Sequence, residues 1–82
     1  MSTSKKVLVF GSKHCKPCEG WKRMLKEAGI KYEYIDVEKN PKMANEYLVN
    51  SLPTTIVLKN GRVSFCVIGA SKKKLAELRE VL

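Results

Sequence analysis

No apolar run in this chain of 82 residues approaches the roughly 18 consecutive residues that a membrane-spanning helix requires, so a membrane span is not expected. A hydrophobic leader is also missing. Met1-Ser2-Thr3-Ser4-Lys5-Lys6 passes straight into a short apolar run with no cleavage site, which reads as a chain without a secretory signal and points to the cytoplasm. Cysteine is scarce and odd in number, at three, which argues against a secreted disulfide framework and for one working pair plus a spare thiol in a reducing compartment. Histidine occurs once, as His14. A structural zinc site needs four ligands, and beyond one cysteine pair only His14 and Cys66 remain, with His14 adjacent to Cys15 and poorly placed to share a tetrahedron. No metal is expected within one chain. A cluster shared between two chains would need a dimer that nothing in the sequence demands, and a monomer is expected. Acid is in short supply, with 8 acidic against 16 basic residues and a net charge of +8, which draws the protein toward acidic surfaces. The aromatics Tyr32, Tyr34 and Tyr47 do not interleave with the basic residues as base-stacking platforms would, so specific nucleic-acid binding is not expected. No repeat, linker or low-complexity tract is visible, and residues 1–82 read as a single domain.

What the chain does have is Cys15-Lys16-Pro17-Cys18, two thiols one helical turn apart that can close into a disulfide and reopen. Val7-Leu8-Val9-Phe10 before them reads as a buried strand, and Trp21, Met24, Leu25 and Ala28 after them recur at helical spacing. The pair therefore falls at a strand-to-helix junction, where unpaired N–H groups and the helix dipole favour a thiolate. Pro17 lacks an N–H and has a fixed φ, so it suits the first helical turn and stiffens it. Cys18 shares its side of the helix with Trp21 and Leu25 and should face inward, leaving Cys15 exposed. That asymmetry assigns roles: Cys15 exchanges with a partner's sulfur, and Cys18 resolves the mixed disulfide.

Further along, Gly29 marks a helix stop, and Lys31 to Val37 alternates as a strand, which completes a β-α-β unit. Asn40-Pro41 opens a short helix with Met43, Ala44, Tyr47 and Leu48 on one face. Ser51-Leu52-Pro53-Thr54 breaks it and leads into the strand Thr55 to Leu58. Asn60-Gly61 signals a tight hairpin to a strand over Val63 to Ile68, where Cys66 reads as a buried, inert thiol. Ser71 caps a closing helix faced by Leu75, Leu78, Val81 and Leu82. The expected fold is α/β, ordered β-α-β-α-β-β-α.

These features together resemble the thioredoxin superfamily over nearly the whole chain: Cys-x-Pro-Cys after the first strand, Leu-Pro-Thr at 52–54, and Leu58-Lys59-Asn60-Gly61-Arg62-Val63 leading to Ile68-Gly69. The resemblance implies a minimal thioredoxin fold, a four-stranded mixed sheet flanked by three helices. It also implies a thiol-disulfide oxidoreductase that reduces protein disulfides through Cys15 and Cys18 and needs no bound cofactor. Pro53 would be a cis-proline beside the dithiol, with the backbone of Leu52 pairing with substrate and with His14 and Gly69 bordering the same site. The electron donor would be a thioredoxin-reductase-like flavoenzyme or glutathione. In size the chain is similar to a glutaredoxin, yet Lys72-Lys73-Lys74 replaces the Gly-Gly-x-Asp-Asp type of glutathione-binding segment, which makes it more thioredoxin-like. A glutathione-dependent glutaredoxin and a redox-idle binding module are the alternatives. Where thioredoxins usually have a tryptophan before the nucleophile and a buried aspartate six residues before it, this chain has His14 and Val9. Deprotonation of Cys18 then falls to water, His14 or Glu19, and a protonated His14 would favour a Cys15 thiolate.

Overall fold

Four consecutive apolar residues are comfortable in a strand only where both faces of the sheet are covered. In the computed structural model, which describes residues 4–82, Val7 to Phe10 lie in β1 (Lys5–Gly11) and are all buried. The chain continues through α1 (Lys16–Glu27), β2 (Glu33–Asp36), α2 (Pro41–Glu46), β3 (Thr54–Lys59), β4 (Arg62–Ile68) and α3 (Lys72–Val81). The sheet order is β2-β1-β3-β4, with β1 parallel to β2 and the other pairs antiparallel. This is the expected α/β architecture, a four-stranded mixed sheet flanked by three helices. Among the described residues no helix is long and apolar enough to cross a membrane. The leader-free reading of the N-terminus rests partly on residues 1–3, which lie outside the described residues.

Alternation along the strands builds two apolar layers. On one face Val7, Val9, Val57 and Val67 pack with Trp21 and Leu25 of α1 and Leu78 of α3. On the other, Leu8, Phe10, Ile35 and Ile56 pack with Met43 and Tyr47, whose ring lies 5.6 Å from that of Phe10. The hairpin signal holds: Asn60 and Gly61 have φ of 53° and 83°, the two consecutive left-handed residues of a tight turn. Ser71 Oγ accepts from the Lys74 N–H at 3.1 Å, which caps α3.

Several local expectations are corrected. Asn40 stands at the N-cap of α2 but makes no capping hydrogen bond, because its Nδ2 donates instead to the Asp36 carbonyl at 3.2 Å. Leu48 is not on the apolar face of α2; the helix ends at Glu46, and Leu48 adopts φ 54° and is 82% exposed. Leu82 likewise lies beyond α3 and is exposed. Cys66 is exposed rather than buried. It pairs with Ile56 on the outermost strand, and α2, only 6 residues long, packs its apolar side on Leu8, Phe10, Ile35 and Ile56 without covering Cys66.

Candidate active site

Three segments meet at one end of the sheet. β1 runs out at Gly11 into the turn that carries the cysteines. Phe10 is paired with Thr54, so Leu52-Pro53 precedes β3 at this same end, and Thr54 is paired with Ile68, which brings Gly69 there too. The Gly69 N–H donates to the Pro53 carbonyl at 2.8 Å and ties the last two together. The Leu52–Pro53 peptide is cis, as the resemblance implied.

Cys15 and Cys18 are joined by a disulfide with their Cα atoms 5.3 Å apart, inside the range that a bridge can span. Cys15 is the N-cap of α1, and its Sγ accepts from the Cys18 N–H at 3.2 Å. That hydrogen bond, at the positive end of a 12-residue helix, stabilises negative charge on this sulfur once the bridge opens. Cys18 is fully buried beside Trp21 and Leu25, whereas Cys15 is partly accessible. Trp21 fixes the helix from within: its Nε1–H donates to Thr55 Oγ1 at 2.6 Å, in a buried link from the dithiol helix to the strand that follows Pro53.

His14 does not turn inward. Its side chain is 74% exposed and its Nε2 lies 4.0 Å from Glu38 Oε1. Glu19 is drawn to Lys22 at 3.2 Å. Val9 is fully buried in the apolar layer, so the position where thioredoxins place an aspartate supplies no proton acceptor. Among the described residues, no three His, Cys, Asp or Glu side chains group so as to hold a metal ion. Gly69, at φ +94°, lies under Lys74, whose Nζ donates to the Ile68 carbonyl.

Two residues at this site had not been singled out from the sequence. A Cβ on Gly11 would stand 2.5 Å from the Tyr34 hydroxyl and 2.9 Å from Cys18 Sγ, so only glycine admits both groups. A glycine at the end of a strand run is the signal that would have found it. Tyr34 carries Lys22 Nζ 4.1 Å above its ring. Desolvation raises its pKa above 10.0, opposed by the nearby Lys22 charge. Because the folded value exceeds the unfolded one, this group's contribution to stability is complete below about pH 10 and is lost as pH rises through the raised value. Urea unfolding at graded alkaline pH is expected to show a steeper loss of stability in the native protein than in Tyr34→Phe. Equal slopes would rule out the shift.

The Glutaredoxin family model matches residues 7–57. A thioredoxin of Methanocaldococcus jannaschii is 36% identical, covering 84% of each chain. The chain belongs to the thioredoxin and glutaredoxin superfamily. Another superfamily relative, a bifunctional thioredoxin reductase/thioredoxin of Mycobacterium leprae, is 35% identical over 99% of this chain, which spans 19% of that protein's length. Among solved structures, reduced Schistosoma mansoni thioredoxin pre-protein superposes with a TM-score of 0.82 at 31% identity, covering 94% of this chain and 77% of that one.

Proposed function

We propose that this protein reduces disulfides in protein substrates by dithiol exchange. The observation that carries the reading is the unequal pair at the head of α1, one sulfur reachable and receiving a backbone hydrogen bond, the other sealed. Cys15 thiolate attacks a substrate disulfide and releases one substrate thiolate. Cys18 then attacks Cys15 Sγ, the second substrate thiolate leaves, and the substrate disulfide has gained the two electrons that the Cys15 and Cys18 thiols lose in forming their bridge. An incoming extended segment pairs with the backbone of Leu52 beside Pro53. His14 and Gly69 border it, Gly69 through groups other than its N–H, which already serves the Pro53 carbonyl.

The reductant that reopens the bridge is assigned to a thioredoxin-reductase-like flavoenzyme. A reductase and a thioredoxin sharing one chain in the Mycobacterium leprae relative support that pairing. Lys72-Lys73-Lys74 at the start of α3, where many glutaredoxins carry acidic residues, also weighs against glutathione. The working unit is a monomeric single domain over residues 1–82, acting in the cytoplasm. Insulin reduction is the decisive assay: turnover with NADPH and a thioredoxin reductase is expected to exceed that with glutathione and its reductase by about tenfold or more, which is roughly 1.4 kcal/mol in barrier. Faster turnover with glutathione would reassign the donor, and none with either would leave a redox-idle binding module.

A further inference from the structure

Dithiol exchange leaves one demand that the named residues do not meet. Cys18 carries negative charge in every cycle, as the attacking thiolate in resolution and as the leaving thiolate when the bridge is reduced at Cys15. Its sulfur is fully buried, and an unpaired buried charge is costly. Val9 offers nothing to pair with it, His14 is turned toward Glu38, and Glu19 toward Lys22.

One polar group does reach the sulfur's surroundings. The Tyr34 hydroxyl and Cys18 Sγ lie 2.5 and 2.9 Å from the same point, the place a Cβ on Gly11 would take, so both border the space that this missing side chain leaves open. Tyr34 is also the residue paired with Val9 in the parallel β1–β2 register, so the neighbouring strand supplies a polar group where β1 lacks one. In the bridged state the one hydrogen bond this hydroxyl makes among the described residues is long, 3.5 Å to the Ser12 carbonyl, and can be exchanged for another.

Resting on the dithiol-exchange reading, we infer that Tyr34 is the hydrogen-bond donor that holds Cys18 Sγ as a thiolate whenever the bridge is open. In resolution the Cys18 thiol gives its proton to water, and the thiolate is held by the Tyr34 O–H. The Cys18–Cys15 bond then forms as the Cys15–substrate bond breaks, and the substrate sulfur leaves with the electron pair. A phenol is neutral at physiological pH, and desolvation here shifts its pKa further up, so Tyr34 is a donor rather than a base. The charges around it are Lys22 and Glu19 on α1 and Asp36 on β2, with Tyr32 the other ionisable neighbour, and Lys22 on the ring favours donation.

The test titrates Cys18 alone, in full-length protein carrying Cys15→Ser, by following the Cβ chemical shift of isotopically labelled Cys18 against pH. Tyr34→Phe keeps the ring and removes only the donor, and is expected to raise the Cys18 midpoint by about one pH unit. Fluorotyrosine placed at position 34, a stronger donor that alters almost no volume, is expected to lower it. A midpoint that does not move, or moves the other way, in either protein overturns the inference. The titration reads Cys18 whether or not the protein turns over. Loss of insulin reduction in the native protein would count against dithiol exchange, and an unmoved midpoint against Tyr34.

Discussion

Cys15→Ser is expected to reduce insulin no faster than the solution reaction, while Cys18→Ser completes one attack and stops with its partner covalently attached. The two variants separate because the two sulfurs differ in position. Cys15 is the partly accessible N-cap of α1, and its Sγ receives the Cys18 N–H at 3.2 Å. Serine is among the best N-cap residues, so Cys15→Ser preserves the cap and the helix while removing the atom that forms the mixed disulfide. Loss of turnover is then a loss of chemistry rather than of fold. In Cys18→Ser the nucleophile and its hydrogen bond remain, but no sulfur stands behind it to displace the substrate. Non-reducing gels and intact mass should show one equivalent of trapped partner per protein. Sustained turnover in Cys15→Ser would defeat the assigned roles, as would failure of Cys18→Ser to trap.

Trp21→Ala is expected to cost about 3–5 kcal/mol, the range for deleting a large buried aromatic. A domain of this size has a total stability toward the low end of about 5–15 kcal/mol, so the variant should be barely folded. Trp21 is fully buried between α1 and the sheet, with Val7, Val9, Leu25, Val57 and Leu78 in the same layer. Its indole N–H also satisfies Thr55 Oγ1 at 2.6 Å, and removing the donor strands a hydroxyl that has no exposure. Trp21→Phe removes the donor together with part of the ring and should cost about 1–3 kcal/mol, and the share due to the stranded hydroxyl is what Trp21→Phe with Thr55→Val recovers. Thermal melts measure all three, and a Trp21→Ala melting point within a few degrees of the native protein would refute the assigned anchoring role.

Local pattern was sufficient where a short stretch of chain by itself decides the outcome. The apolar run at Val7–Phe10, the Trp21–Leu25 spacing and the Asn60-Gly61 turn each have a local physical cause, and each appears in the structure as expected. Cys66 and Leu48 failed because their burial depends on what lies across from them. The same alternating strand is covered in the centre of the sheet and bare at its edge, and Leu48 lies past the end of a helix too short to carry it. Cys15 and Cys18 were legible from their spacing together with the strand before them, the helix after them and the lack of further metal ligands. The approach of Tyr34 to Cys18 was not, since it needs the β1–β2 register and the missing side chain of Gly11 to be known together.

Strand β1 is interior to the sheet and buried on both faces, and Cys15 hangs from its end across only Ser12, Lys13 and His14. Backbone amides in such a strand exchange with solvent only when the whole molecule opens, whereas α2, with Ala44 its one buried residue, can open by local fraying. The reactive turn is therefore moored to the most persistent part of the protein. Making and breaking the bridge in that turn asks for no change in the sheet, so the same scaffold can serve both oxidation states without being rebuilt between turnovers.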